Sequence, residues 1–253
     1  MTIRIYLSGR LAVEVDGNIL IDDGRFRGKQ GRLLFAYLAC ERTRPVPREE
    51  LATLIWPNEM APSWEGALSA LTSRVGGLFS SPQLKAIGVS FSRKFGHYQF
   101  HFPADAWIDL EAGVSAIDRA EASLRAGDIS KVLGPATAAM AIARRPFLSG
   151  IDGFWANSQR AKLQRQLLRA LDCLSQMQIN LGETWQAVET ATEAVALDPF
   201  RERSYQHLML AYVSTGNRTK AVEVYHRLLK LLAEEVGTEP SPETEAVYLA
   251  LLD

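Results

Sequence analysis

The chain has 253 residues, 28 Lys+Arg against 29 Asp+Glu, and a hydrophobic fraction of 47%. That length suits one large domain or two ordinary ones, and that apolar content excludes a disordered chain. No apolar run approaches the roughly 18 residues of a membrane span, and the opening MTIRIYLSGR carries no signal-peptide core, so a cytoplasmic protein is expected.

The first elements read as strands. Ile3, Ile5 and Leu7 alternate with polar residues, as do Leu11, Val13 and Val15, and Ile19 and Ile21 resume the pattern after Asp16-Gly17. Asp-Gly is a strong hairpin signal, so about three short antiparallel strands are expected, with a helix needed over one face. Gly28 to Glu41 supplies it, with Leu33, Leu34, Tyr37 and Leu38 at helical spacing and Lys29 and Arg32 on the other side. Pro45-Val46-Pro47 stops that helix. Arg48 to Trp56 predicts a second, turning Leu51, Leu54 and Ile55 inward, with Glu49-Glu50 favourable to the dipole in its first turn.

The stretch Pro62 to Phe79, PSWEGALSALTSRVGGLF, predicts a third helix whose inward residues are Leu68, Leu71, Val75 and Leu78. Ile87, Val89 and Phe91, then Tyr98, Phe100 and Phe102, flank the basic loop Ser92-Arg93-Lys94-Phe95-Gly96 and predict a hairpin. Helix, turn, helix and hairpin is the order of a winged helix, whose second helix enters the major groove of DNA. In that reading Arg93 and Lys94 lie on the wing, near phosphates or the minor groove. Residues 1–105 hold 13 basic against 10 acidic residues, and 106–253 hold 15 against 19. A balance of +3 permits DNA binding without arguing for it.

From Ala104-Asp105-Ala106-Trp107 onward the alternation gives way to helices. Asp109 is placed as N-cap of a helix carrying Val114, Ile117 and Leu124. After the Gly127-Asp128 turn a second helix runs through Val132, Leu133, Met140 and Ile142 until Arg145-Pro146. Phe154 to Leu181 is a long amphipathic run with Leu163, Leu167, Leu171 and Leu174 on one face. Gly182 and Gly216 then recur at the tetratricopeptide period, as do Ala187 and Ala221. About three helix pairs are expected, the first diverged, offering a groove to a partner protein or another subunit. Gly237 and Pro240 end that array. Ser241-Pro242-Glu243-Thr244 opens a last helix that caps it with Val247, Leu249, Leu251 and Leu252.

Chemistry is absent from these patterns. No P-loop, G-x-G-x-x-G, H-E-x-x-H or G-x-S-x-G motif occurs, so neither an enzyme nor a cofactor is expected. Cys40 and Cys173, on apolar helix faces in different halves, read as buried free thiols, and no His or Cys stands at zinc-ligand spacing.

The strings GKQGRLLFAYLA, REELATLIWP, LSALTSR and GHYQF resemble the OmpR/PhoB-type winged helix that opens the Streptomyces antibiotic regulatory protein (SARP) family. RRPFLSGIDGFW, AVALDPFRERSYQHLMLAY and LLAEEVGTEPSPETEAVYLALL resemble the bacterial transcriptional activator domain that follows it. The resemblance implies an α+β winged helix-turn-helix at 1–105 and an all-α tetratricopeptide-like helical-repeat domain at 106–253. It also implies a transcriptional regulator, an activator of the short form, that binds promoter repeats in double-stranded DNA as a homodimer or in tandem. Its helical domain would dimerise or touch RNA polymerase. Where the family carries arginines, this chain has Ser69 and Gly76-Gly77, which leaves Ser69, Thr72, Ser73 and Arg74, with Trp64 near the helix start. Trp56 and Trp64 read as packing residues. Lys29, Arg32 and Arg48 are candidates for phosphate contact or for solvated surface. The competing reading is an adaptor or ligand sensor of the same ancestry whose DNA binding is weak or lost.

Overall fold

A computed structural model describes residues 2–58 and 62–252; the expected outer limits of the two domains, Met1 and Asp253, lie outside the described residues. Close packing divides the chain into two units, Met1–Ala112 with Arg145–Lys162, and Gly113–Arg144 with Leu163–Asp253.

The first unit opens with β1 (Ile3–Tyr6), β2 (Ala12–Val15) and β3 (Asn18–Ile21), a 3-10 turn at Asp23–Phe26, and α1 (Lys29–Cys40). The short β4 (Val46–Pro47), α2 (Arg48–Ile55), α3 (Trp64–Leu78) and α4 (Pro82–Ala86) follow, then β5 (Ser90–Lys94), β6 (His97–His101) and β7 (Trp107–Ile108). Ile3 pairs with Val15 and Ile5 with Val13, so period-2 alternation puts all four on the buried face. Asp16 and Gly17 both take positive φ, as a two-residue type I′ hairpin requires. The first sheet has the order β3-β2-β1-β7 and the second β4-β6-β5.

The structure adds elements to the expected set. Val46–Pro47, expected only as a stop, pairs along β6, and Trp107–Ile108 pairs in parallel with β1. The short α4 starts at Ser81-Pro82, where the serine hydroxyl accepts from Leu84 N.

Between the sheets and α1–α3 lies a run of aromatic rings: Phe26 on Phe35 (4.7 Å between centroids), Phe35 on Phe79 (5.2 Å), Phe79 on Phe100 (4.6 Å) and Phe100 on Phe91 (4.6 Å). Such contacts add about 0.5–1.5 kcal/mol each beyond the area they bury. Gly31 makes room for the cluster, since a Cβ there would sit 2.1 Å from the Phe26 carbonyl oxygen.

Asp109 begins α5 (Asp109–Arg125) and is fully buried. Its carboxylate does more than the expected capping. It accepts from Leu110 N (2.8 Å), Leu7 N (3.0 Å), Ser8 N (2.9 Å) and Ser8 Oγ (2.8 Å). Burial pushes its carboxyl above the ordinary value while the bonds from Ser8 and Leu7 pull it back. Ser8 also bridges to Phe147, and Gly9 N donates to Pro146 O at 2.7 Å, which brings the Arg145–Lys162 segment into this unit. The packing boundary therefore differs from a division at 105/106.

The second unit contains the rest of α5, α6 (Leu133–Ala143), most of α7 (Phe154–Leu181), α8 (Thr184–Leu197), α9 (Glu202–Ser214), α10 (Arg218–Glu235) and α11 (Pro242–Leu249). Ala116, Ile117, Ala120, Ala136, Ala139, Ala170, Cys173 and Leu174 form one core cluster, and α8–α10 with Leu251 form another. Leu163, Leu167, Leu171 and Leu174 are all buried, as the periodicity of α7 predicts. Gly182 and Gly216 turn at the same φ of 76°. At α11 the Glu202 carboxylate accepts from Ser241 N and Ser241 Oγ, both at 2.8 Å, and from Thr244 Oγ1 at 2.6 Å.

Four expected core residues, Val114, Leu133, Leu249 and Leu252, are exposed. On α5 the buried stripe is Gly113, Ala116, Ile117 and Ala120, one register away from Val114, because α6 approaches closely. A Cβ on Gly113 would stand 3.3 Å from Ile142 Cγ2. Cys173 is buried, Cys40 largely so, both are free, and burial pushes each thiol up to about 12.

Asp109→Ala leaves Leu7 N and Ser8 N without an acceptor and is expected to cost about 3 kcal/mol or more in urea unfolding, with Asp109→Asn in between. His207 gives a second expectation. Its Nδ1 is buried without a partner, and burial, with Arg201 and Arg203, holds its pKa below 6.5, although Asp172 at 3.9 Å pulls the other way. The unfolded chain therefore takes up the proton first. Stability is complete above about 6.5 and falls as pH drops toward the lower folded value. Thermal melts across that range should flatten in His207→Leu.

Candidate nucleic-acid interface

Helix α3 turns Leu68, Leu71, Thr72 and Val75 into the core and leaves Glu65, Gly66, Ala67, Ser69, Ala70, Ser73, Arg74 and Gly77 exposed. Its outer face is thus made of small residues, with one cation and one anion. Trp64 at its start is half-buried under the Arg48 guanidinium, 5.9 Å from the ring centroid.

Of the hydroxyls expected on this face, Ser69 and Ser73 are there and Thr72 is not. Thr72 is fully buried, and its Oγ1 donates to Leu68 O (2.9 Å) and Ser69 O (3.0 Å). Threonine in a helix interior bonds back to the preceding turn in this way, so its hydroxyl is removed from any duplex.

Ser73 meets the hairpin. Arg93 Nη1 donates to Ser73 Oγ at 2.5 Å, so the first basic residue of the wing lies against the middle of α3. Arg93 and Lys94 end β5, opposite Tyr98 and His97, and the turn itself is Phe95-Gly96. Gly76 explains how helix and strand come so close: a Cβ there would lie 2.4 Å from the Phe91 ring. The helix runs through Gly76-Gly77 to Leu78 without a break, with Gly76 against Phe91 and Gly77 exposed.

On the other side of Arg74 is a pair the sequence reading passed over. Arg25 and Arg27 share with Arg74 a hollow of about 180 Å³, floored by Phe26, Leu71, Val75 and Leu78. Arg27 is left-handed (φ 41°) ahead of Gly28, which ends the 3-10 turn and sets its direction. The signal was present as basic residues flanking Phe26 in GRFRGK, but their meeting with α3 is tertiary. Among the described residues, Arg25, Arg27, Arg74, Arg93 and Lys94 pair with no carboxylate.

Arg48 is different. Its guanidinium meets Glu49 (2.8 Å) and Glu65 (3.2 Å), and the Glu49 hydrogen bond raises its pKa. Its charge is thus answered within the protein, and a phosphate would have to displace carboxylates. Lys29 is exposed and Arg32 half-buried in the first turn of α1, and no described contact joins either to α3 or the hairpin. No group of three potential metal ligands occurs among the described residues, and no helix there is long and apolar enough to cross a membrane.

Chemically this surface can hold phosphates through guanidinium groups and offer serine hydroxyls to phosphate or base edges. It has one guanidinium, Arg74, on the helix for bidentate reading of guanine.

The two glycines of α3 separate by substitution. Gly77 has open space around it, so Gly77→Ala should raise stability by about 0.5–1 kcal/mol, whereas Gly76→Ala should cost about 1–3 kcal/mol by displacing Phe91. Urea unfolding of the two variants is expected to give shifts of opposite sign.

The family model of the bacterial transcriptional activator domain matches residues 108–252. The regulatory protein AfsR of Streptomyces coelicolor is 28% identical over 223 residues, 88% of this chain and 22% of AfsR. Transcriptional regulatory protein MoaR1 of Mycobacterium tuberculosis is 25% identical over 223 residues, covering 87% of this chain and 71% of MoaR1. Mycobacterium tuberculosis EmbR, solved in complex with a low-affinity phosphopeptide, has the same fold at a TM-score of 0.86 and 20% identity, over 99% of this chain and 65% of that one. The chain spans only 22–23% of the length of the AfsR proteins it matches. With an α+β winged helix ahead of a tetratricopeptide-like repeat, and more than half of its length matched by the family model, the chain belongs to the bacterial transcriptional activator domain family of SARP-type regulators.

Proposed function

We propose that this chain is a DNA-binding transcriptional regulator, an activator of the cytoplasm, with no enzymatic step of its own. Residues 1–105 serve DNA and residues 106–253 serve protein partners, through dimerisation or contact with RNA polymerase. The observation that carries the reading is the run of cations beside α3 that pair with no carboxylate among the described residues. Arg25 and Arg27 meet Arg74 in one hollow, and Arg93 is bonded to the neighbouring Ser73. In this arrangement α3 lies in the major groove with Ser69, Ser73 and Arg74 toward it. Arg25, Arg27, Arg93 and Lys94 hold phosphates on either side, and Lys29 and Arg32 add at most peripheral charge. That AfsR and MoaR1 are named as regulators supports the same reading.

A small face with few base-reading groups limits what one protomer does alone. Specific occupancy then comes from two linked protomers on promoter repeats, where the second contact is intramolecular. The competing reading, an adaptor with lost DNA binding, draws on Glu65, which opens α3 with a carboxylate tied to Arg48.

Fluorescence anisotropy with a promoter-length duplex across a salt series separates the two. Four phosphate contacts, from Arg25, Arg27, Arg93 and Lys94, set a slope of log K against log salt of about −3.6 for each protomer bound. Arg27→Ala should flatten it by about 0.9 and weaken binding at every sequence tested, whereas Arg74→Ala should weaken binding and relax the preference for the base it reads. No binding at low salt, with wild type and Arg74→Ala indistinguishable, would leave the adaptor.

A further inference from the structure

The two tight hairpins of the first unit have the same turn geometry and different chemistry. At β2–β3 the turn is Asp16-Gly17, with φ of 48° and 83°; at β5–β6 it is Phe95-Gly96, with φ of 51° and 73°. Both are type I′, a turn that favours Asn or Asp followed by Gly because both residues take positive φ. A bulky residue there is an outlier that costs of order 1 kcal/mol or more. Phe95 is also 99% exposed, so its ring recovers nothing by burial. A side chain that is unfavourable both for the turn and for solvent needs a use outside the chain.

The surroundings indicate which. The turn is held at its base, where Arg48 N donates to Gly96 O (2.9 Å) and His97 Nδ1 meets Phe95 O (2.9 Å), while the ring stands free. Arg93 and Lys94 immediately precede it, with no carboxylate partner among the described residues. An apolar ring on a fixed support beside two cations matches a polyanion with apolar material between its charges. Duplex DNA has that character, and proteins entering its minor groove combine Arg or Lys with an apolar wedge that partly unstacks a base step.

We propose that Phe95 is a wing-tip wedge that enters the minor groove next to the major groove occupied by α3, with Arg93 and Lys94 on the flanking phosphates. The proposal rests on the DNA-binding reading above and assigns to the wing tip the apolar contact that the small face of α3 lacks. It makes A·T-rich steps, which open most easily at TA, the preferred site.

The test uses the full chain, at low salt, with a fluorescein-labelled alternating A·T duplex carrying 2-aminopurine at scattered adenines. Wild type should bind and brighten the 2-aminopurine, which fluoresces when unstacked. Phe95→Asn, which suits the turn, should bind roughly five- to tenfold more weakly, as expected for one lost stacking contact, without the brightening and with an unchanged or higher Tm. Arg93→Ala should weaken binding yet leave the brightening of the bound complex intact. If wild type does not bind, the DNA reading itself is lost. If wild type binds and Phe95→Asn matches it in affinity and brightening, the wedge alone is overturned. A lower Tm in Phe95→Asn would make the ring structural, and a smaller sedimenting species without DNA would assign it to a second copy; either result also overturns the proposal.

Discussion

A carboxylate removed from water keeps its place only if donors replace the water, and in the first unit Asp109 has that requirement met from two separated parts of the chain. Three backbone N–H groups and one hydroxyl converge on it, from Leu7, Ser8 and Leu110. Leu7 and Ser8 directly follow β1, where the backbone leaves its ladder and its N–H groups need another acceptor. Asp109 directly follows β7, the strand that pairs in parallel with β1 through Arg4–Trp107 and Ile5–Ile108. One side chain therefore closes the end of the strand pair and starts the next helix. An apolar residue there would strand the donors, and a charge without them would not be held in the interior.

Close approach is the second constraint, and glycine meets it twice. At Gly31 the carbonyl of Phe26 occupies the space a methyl group would take, and at Gly76 the ring of Phe91 does so. The first contact lets α1 pack against the 3-10 turn that carries Arg25 and Arg27. The second draws the wing onto the same helix. Phe26 and Phe91 are also members of one aromatic chain through Phe35, Phe79 and Phe100, so the two flanks of α3 are positioned by a common core. In the second unit alanine does similar work: Ala116, Ala120, Ala136, Ala139 and Ala170 alternate with Ile117, Val132, Leu174 and Met177 in the core shared by α5, α6 and α7.

Much of this was legible in the sequence because it is local. Period-2 alternation with Asp16-Gly17, the leucine stripe of α7 and the Ser241-Pro242 cap each fix an element within a few residues. What escaped depends on neighbours distant in the chain. Two-residue strands such as β4 and β7 carry no periodicity. Val114 looks like a core residue until α6 selects the alanine face beside it. Thr72 looks like a groove-facing hydroxyl until its position on α3 is seen to be a core position. Arg48 counts as a cation in the sequence, yet Glu65 from the next helix answers it, while Arg25 and Arg27 become part of the site only by meeting Arg74 across the fold. Family resemblance gave the architecture, and these tertiary contacts decide which side chains it presents.

The anomaly of α3 then has a physical consequence. A helix whose outer face is Gly66, Ala67, Ser69, Ala70, Ser73 and Gly77 has little reach, so in the DNA-binding reading it must lie deep in the groove for its hydroxyls to meet anything. Short side chains also lose little rotamer freedom on contact, which favours a close fit over a few strong bidentate contacts. The cations are then off the reading face, at Arg25 and Arg27 on one flank and Arg93 and Lys94 on the other, where they position the protein without naming a sequence. A protein built this way depends on how easily a duplex takes the required shape, because flank contacts on both sides of a deeply seated helix constrain the groove between them. In that reading sequence preference arises more from the deformability of the DNA than from base edges.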